Sequence, residues 1–152
     1  REPSLPPFLF LQEFITHNCQ RVELSVIDEL LFIHNCERKV SLVYDLREPA
    51  PYPINTPLPF AYNEDRNPYD KNFIFFPNSD LVFDSEKACA YQLKIKMEEI
   101  VNNFSRRRGV VSFLLRRKGT PSLLLQELKR DIMEKSSLSE FAAAFDQINR
   151  PL

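Results

Sequence analysis

The chain has 152 residues, of which 43% are hydrophobic and 27% charged, and its formal net charge is −1. This length suits one ordinary domain, and the near balance of 20 basic and 21 acidic residues argues against a chain built mainly to neutralise nucleic-acid phosphates. No run of 18 apolar residues predicts a membrane-spanning helix, and three cysteines are too few for a disulfide framework, which favours the cytosol.

The first part of the chain predicts β-strands. Residues 8–15 form an apolar, aromatic-rich run, and residues 22–26 alternate with period two, as a half-buried strand does. Two further apolar runs, at 30–33 and 40–44, are separated by polar residues at 35–38. This pattern predicts a hairpin.

A proline-rich segment follows, with six prolines between Pro49 and Pro68. Each proline removes a backbone donor and fixes φ, so the segment predicts an extended loop rather than a helix or a ladder strand. A linker is the simpler interpretation. The alternative is a polyproline ligand for another domain, although the spacing is not a regular PxxP array.

The pattern of the first hairpin returns after the loop, with apolar runs at 73–76, 81–83 and 88–95. Tyr44 and Tyr91 end similar hairpin sequences and are 47 positions apart. Blades of β-propellers repeat at roughly 40–50 residues. The two hairpins therefore predict two related blades. A closed propeller needs at least about four, so either the chain is a piece of a longer protein or the β part is a small sandwich.

Helical signals begin after residue 100. Ser105 is expected to cap a helix over 106–118, with Gly119 in the position of a C′ glycine. Thr120 followed by a proline predicts the start of a second helix. A capping box at 137–140 predicts a third. Short helices joined by tight turns are typical of bundles and solenoids.

The expected fold class is mixed β then α: C-terminal blades of a β-propeller followed by the first helices of an α-solenoid, as part of a longer protein. The expected boundaries are blade strands at 1–48, a proline-rich loop at 49–71, final blade strands at 72–100 and the solenoid start at 101–152.

The tripeptide His-Asn-Cys occurs twice, at 17–19 and 34–36. Two histidines and two cysteines can bind zinc, but an extended strand places the His and Cys of one tripeptide about 6–7 Å apart. We therefore expect no metal site. With only two glycines, the chain has no P-loop, dinucleotide fingerprint or nucleophile elbow. We expect no catalytic residue, no cofactor and no enzymatic activity.

Two basic clusters flank the first predicted helix. Three consecutive arginines in a first turn oppose the helix dipole, which points to contact with an acidic partner or with anionic lipid headgroups. A solvated basic face is the simpler alternative, and the nearby aromatic residues do not alternate with the basic ones as nucleic-acid stacking platforms do. The candidate contact residues are Arg106, Arg107, Arg108, Arg116, Arg117 and Lys118.

Three blocks of the sequence resemble the colon-cancer-associated Mic-like family, called Bulli in flies. They are 22–46, 73–100 and 109–118, in the family's order, and 145–149 matches more loosely. The resemblance implies an N-terminal β-propeller and a C-terminal α-solenoid. The resemblance implies no catalytic residue in this sequence.

The resemblance also implies a function: a scaffold or regulatory subunit of the Mon–Ccz complex, the guanine-nucleotide exchange factor for the late-endosomal Rab GTPase. Endosome maturation, autophagy and lysosomal function would depend on it. The implied partners are Mon and Ccz, without nucleic acid. The implied location is cytoplasmic, peripheral on late endosomes and lysosomes through their anionic membrane. The alternatives are another propeller–solenoid trafficking scaffold, such as a tether or coat subunit, or a small metal- or nucleic-acid-binding module.

Overall fold

The computed structural model describes residues 20–48, 52–62 and 67–134, together with six separate positions between 139 and 149. The chain divides into two compact units, Arg1–Ser105 and Arg106–Leu152. The predicted strand at 8–15 and the first His-Asn-Cys tripeptide lie outside the described residues.

The first sheet consists of β1 (Val22–Ile27), β2 (Leu30–Asn35) and β3 (Val40–Asp45), antiparallel and in that order. Asp28 and Glu29 join β1 to β2, and both have positive φ, as a two-residue type I′ hairpin turn requires. All three strands were predicted from alternation and apolar runs, and those predictions are confirmed.

The second sheet repeats this plan with β4 (Phe73–Phe75), β5 (Leu81–Asp84) and β6 (Cys89–Gln92). The predicted strands are confirmed, but β6 ends at Gln92 rather than at residue 95. Each sheet therefore has three strands, one fewer than the four of a typical propeller blade.

The same four-residue turn closes the second hairpin of both sheets. The Asn35 Oδ1 atom accepts a hydrogen bond from a backbone N–H three residues later, at 2.9 Å, and the Asp84 Oδ1 atom does the same at 3.2 Å. Each turn ends on a residue with positive φ, Lys39 or Ala88. These equivalent positions are 49 residues apart, so the 47-residue spacing of the tyrosines misaligns the repeat by two positions.

The described part of the proline-rich segment pairs with the edge of β3. The backbone N–H of Ser41 donates to the Leu58 carbonyl at 2.6 Å, and the N–H of Leu58 donates back at 3.0 Å. The N–H of Ile54 donates to the Val43 carbonyl at 2.8 Å. These bonds satisfy backbone groups that an edge strand would otherwise present to solvent.

Arg21 fastens the start of β1 to the segment that leads into β4. Its guanidinium donates to the carbonyls of Tyr69, Asp70 and Phe73 at 3.2, 2.8 and 2.7 Å. Charge-assisted bonds of this kind are stronger than neutral ones. The side of the first sheet that carries His34 meets the second sheet at this junction, where His34 and Phe75 have ring centroids 4.8 Å apart.

A short helix, α1 (Met97–Asn102), closes the first unit. The sequence analysis did not predict it, because residues 72–100 were assigned to the final blade strands. Ile100 and Val101 are buried, and the carbonyl of Asn103 accepts a hydrogen bond from the Thr56 N–H at 2.9 Å.

The second unit contains a 3-10 turn (Arg107–Gly109) that leads into α2 (Val110–Leu115), then α3 (Pro121–Met133). The predicted helix over 106–118 is shorter than expected, and Ser105 does not cap it. Gly119 has φ +79°, the left-handed conformation expected of a glycine after a helix.

Thr120 precedes α3 as predicted, but its hydroxyl does not cap that helix. It donates instead to the carbonyls of Leu114 and Arg117, at 2.9 and 3.1 Å. Both carbonyls lie at or just beyond the C-terminal end of α2, and the Leu114 carbonyl also accepts the Arg117 N–H at 3.1 Å. The third predicted helix lies largely outside the described residues. Its described positions up to 148 are helical, Asn149 lies in a turn, and the Asn149 N–H donates to the Phe145 carbonyl at 3.0 Å.

The predicted fold class is wrong. The described residues form two three-stranded antiparallel sheets and short helices, and neither a propeller nor a solenoid is seen in them. Two three-stranded sheets cannot close a ring that needs at least about four blades. The two α-helices described in the second unit are also fewer than a stacked array requires.

Candidate functional site

The most concentrated polar chemistry in the first unit surrounds His34. Its Nε2 atom lies 2.7 Å from the Ser25 hydroxyl, and its Nδ1 atom lies 2.7 Å from the Ser41 hydroxyl. Ser41 faces His34 in the β2–β3 register, and Ser25 lies diagonally across β1. The Ser41 hydroxyl also lies 3.4 Å from the Tyr69 hydroxyl, which accepts the Phe60 N–H at 3.0 Å.

Two aromatic rings pack against the imidazole, and their own centroids lie 6.0 Å apart. The ring centroids of Phe60 and Phe75 lie 4.7 and 4.8 Å from that of His34, whose exposure is 1%. Burial lowers the pKa of His34 from 6.5 to about 3, so the ring is neutral near pH 7. A neutral ring donates through one nitrogen and accepts through the other, which suits a hydroxyl on each side.

A serine beside a histidine is the start of a nucleophile–base arrangement. Here, however, Ser25 and His34 are each only 1% exposed, so no substrate reaches either one. The group on the far nitrogen is a serine rather than the carboxylate that would stabilise an imidazolium. We therefore assign His34, Ser25 and Ser41 to a buried polar network that fixes the register of the first sheet.

The sequence analysis placed His34 beside a turn and missed this network. The alternation of β2 contained the signal, because His34 shares a face with Leu30, which is fully buried. Only the register of the two hairpins shows that both serines meet the ring.

The second His-Asn-Cys tripeptide does not offer a free ligand pair. Both nitrogens of His34 face serine hydroxyls, and Cys36 is buried with its Sγ atom 4.0 Å from the His34 carbonyl oxygen. Within the part of the chain that the structure describes, no group of three or more His, Cys, Asp and Glu residues is placed to hold a metal ion.

The two basic clusters lie at opposite ends of α2 in the second unit. Six helical residues span roughly 9 Å, so the clusters are close enough to contribute to one surface. Arg106 and Lys118 are exposed. The backbone of Arg108 lies in the 3-10 turn that precedes α2.

Three of the arginines make contacts within the second unit. Arg107 lies 3.7 Å from the Glu127 carboxylate. Arg116 donates to the Ser112 hydroxyl at 2.7 Å. Arg117 places its guanidinium 3.9 Å from the centre of the Phe113 ring, a cation–π contact, and donates to the Phe113 carbonyl. These arginines therefore contribute to the packing of the helices as well as to surface charge.

Glu127 lies on the buried side of α3, at 3% exposure. It forms ion pairs with Arg107 and with Arg130, one helical turn further along α3. A buried carboxylate needs such partners, because desolvation of an unpaired charge costs several kcal/mol. Glu127 also neutralises part of the positive charge at the first cluster.

No helix among the described residues is long and apolar enough to cross a membrane. No protein-family model matches the chain.

Two curated proteins are similar to this chain, one from Homo sapiens and one from Mus musculus, and both are named regulator of MON1-CCZ1 complex. Each is 24% identical to it, with 83% of this chain and 23% of the relative covered. The chain therefore spans about a quarter of the length of the curated relatives it matches. These relatives confirm the resemblance found in the sequence.

Proposed function

We propose that this chain is a non-catalytic part of a regulatory subunit that acts on the MON1–CCZ1 complex. The observation that carries the proposal is the match to two proteins named as regulators of that complex, over 83% of this chain. The buried His34 network is consistent with a non-catalytic role, because the Ser25 and His34 side chains that contact each other are each only 1% exposed.

The finer proposal follows from the family resemblance. The complex is the nucleotide exchange factor for the late-endosomal Rab GTPase, and the chain supports its action in endosome maturation, autophagy and lysosomal function. The exchange chemistry belongs to the other two subunits. The chain acts from the cytoplasmic side, peripherally on late endosomes and lysosomes, and it supplies binding surface and avidity.

The basic clusters at 106–108 and 116–118 are the proposed contact with an acidic surface of a partner or with anionic lipid. Arg106 and Lys118 are the best positions to test, because both are exposed. Reversing the charge of Arg107 is less informative, since it would also place two carboxylates beside each other at Glu127.

The first test measures nucleotide release from the late-endosomal Rab. We expect the chain alone to leave the rate unchanged and the chain with purified MON1–CCZ1 to alter the rate that the complex gives by itself. Acceleration by the chain alone would contradict the non-catalytic assignment. An unchanged rate with the complex, together with no detectable binding to it, would contradict the regulatory role.

The second test compares charge-reversed variants. R106E combined with K118E should weaken binding to the complex or to vesicles that contain anionic lipid, and the loss should shrink as salt rises. K71E combined with K94E is the matched control, because both lysines are exposed in the first unit and the net charge change is the same. Equal binding by both double variants and the unmodified chain would remove the basic clusters from the proposal.

A further inference from the structure

The outer face of the second sheet carries a cluster of large apolar side chains. Ile74 lies opposite Phe83 in the β4–β5 register, and the N–H of Phe76 donates to the carbonyl of Leu81 at 3.3 Å. Ile74, Phe76 and Leu81 are 49%, 46% and 43% exposed, and Phe83 is half-buried. These four side chains form two adjacent cross-strand pairs on one surface.

The inner face of the same sheet already supplies a core. Phe73, Phe75 and Val82 are buried there, at 5%, 5% and 1% exposure. Antiparallel strands with one solvated face normally alternate apolar and polar residues, whereas continuous apolar runs are typical of strands covered on both sides. The strands β4 and β5 have the second pattern, but the described residues cover only one side.

The third strand of this sheet, β6, contributes two uncharged residues to the same face. Ala90 lies opposite Phe83, and Gln92 lies opposite Leu81, so both belong to the same face, and both are exposed. The Ala90 side chain is small, so it covers little of Phe83 across the strand pair. Gln92 donates to Asp80 at the rim, at 2.6 Å. None of the six positions on the face is charged, and the core of a protein–protein interface is similarly depleted in charge.

The size of the face limits what can bind there. Three large side chains, each exposed by almost half, present on the order of 300 Å² of apolar surface. A stable interface of standard size buries about 800 Å² on each partner. Two copies of this face alone are therefore too small for a stable dimer, and a membrane surface would favour basic residues on it, which it lacks.

We propose that the outer face of β4, β5 and β6, formed by Ile74, Phe76, Leu81, Phe83, Ala90 and Gln92, binds an uncharged apolar segment of a protein partner. The inference rests on the proposed function, so the partner is the MON1–CCZ1 complex. The contact is one part of a wider interface. Its contribution comes from desolvation of apolar side chains and depends little on salt, in contrast to the basic clusters.

The test measures the affinity of the full chain for purified MON1–CCZ1 by biolayer interferometry. One variant is I74T combined with L81T, which removes apolar surface and keeps residues that favour strands. A second variant, A90E, adds a charge opposite Phe83 at an exposed position. The control is L125Q, which removes a similar exposed apolar side chain from α3, at 66% exposure.

We expect each face variant to bind at least about tenfold more weakly, because I74T combined with L81T removes two apolar side chains of the face and A90E places an unpaired charge in it. The control should bind like the unmodified chain. Circular dichroism should give the same spectrum and midpoint of unfolding for all variants.

Unchanged binding by both face variants would overturn this inference and leave the proposed function in place. A similar loss of binding by L125Q would also overturn it, because the effect would not be specific to the face. Absence of binding by the unmodified chain would overturn both the inference and the proposed function. If the face variants lost only self-association or vesicle binding, the assignment of a protein partner in the complex would be wrong.

Discussion

Lowering the pH below 6.5 should destabilise the first unit, because the buried His34 side chain stays neutral in the folded state and gains a proton in the unfolded state. The folded state holds the ring neutral, since burial lowers the pKa of His34 to about 3, whereas the unfolded chain has the ordinary value of 6.5. Between these values the unfolded state binds one proton more than the folded state. The free energy of unfolding therefore falls as the pH falls from 6.5 towards 3.

The size of this effect follows from the two pKa values. Each pH unit inside the window costs about 1.4 kcal/mol, so lowering the pH from about 7.5 to about 4.5 should remove roughly 3 kcal/mol of stability. That is a large share of the 5–15 kcal/mol or so that stabilises a typical domain. The contacts of the ring explain why the charged form is not stabilised. Both ring nitrogens face serine hydroxyls, two aromatic rings pack against the imidazole, and no carboxylate of the described residues is hydrogen-bonded to it.

The assay is urea unfolding followed by far-ultraviolet circular dichroism at several pH values. The reference variant combines H34F, S25A and S41A, which replaces all three polar groups by apolar ones and keeps an aromatic ring beside Phe60 and Phe75. Its stability should lose about 3 kcal/mol less than that of the unmodified chain over the same range.

The titration of Asp84 does not overlap the pH range of this comparison. Burial alone would raise the pKa of Asp84, but hydrogen bonds from Asn72 and from the backbone of Lys87 and Glu86 outweigh it, so the pKa lies below its usual value of 3.8. The stability that Asp84 contributes is present above that value and is lost only as the pH falls below it. Parallel pH curves for the reference variant and the unmodified chain would refute the assignment of a buried neutral histidine.

Three further predictions concern the second unit, and each is measured by thermal or urea unfolding. Replacing Gly119 by alanine should lower the free energy of unfolding by about 1–2 kcal/mol, because its φ is +79°. No atom within 4 Å would meet the new methyl group, so the loss comes from the backbone conformation alone. G109A, at φ −83°, should cost clearly less, and equal losses would contradict this reason. T120V should cost about 1–2 kcal/mol, since its hydroxyl donates to two carbonyls at the end of α2, and T120S should restore most of the loss. E127Q should lower the free energy of unfolding by about 1–3 kcal/mol, which is less than for a fully buried ion pair because one of its two arginine partners is 44% exposed. The control E134Q, at an exposed position, should leave stability nearly unchanged.

The strands were predictable because local pattern determines them. Alternation at 22–26 and the polar interruptions at 35–38 and 84–86 fix where strands start and stop without reference to distant residues. The spacing of the repeat was less predictable. Tyr44 and Tyr91 look equivalent in sequence, but the turns that close the hairpins align Tyr91 with position 42.

The fold class was not predictable from those strands. A propeller and a pair of independent three-stranded sheets place the same residues in the same hairpins, and they differ only in how the sheets pair and pack. That difference depends on contacts such as Arg21 with the Tyr69 and Phe73 carbonyls, which lie about fifty positions apart in the sequence. No local pattern encodes such contacts.

The candidate sites were also predictable only in part. Sequence identified the basic clusters, but it could not show that Arg107 contacts the buried Glu127 or that Arg117 lies over Phe113. The apolar runs of β4 and β5 were visible in the sequence. Only the structure shows that the described residues cover one side of these strands and leave the other exposed, because periodicity does not distinguish a strand buried on both faces from one buried on a single face.

The most direct test of the central proposal is the equilibrium binding of the purified chain to purified MON1–CCZ1, measured by isothermal titration calorimetry. The account predicts saturable binding, with a dissociation constant on the order of 1 μM or tighter and a negative heat-capacity change from apolar burial. No detectable heat at protein concentrations roughly fifty times higher than that constant would contradict it.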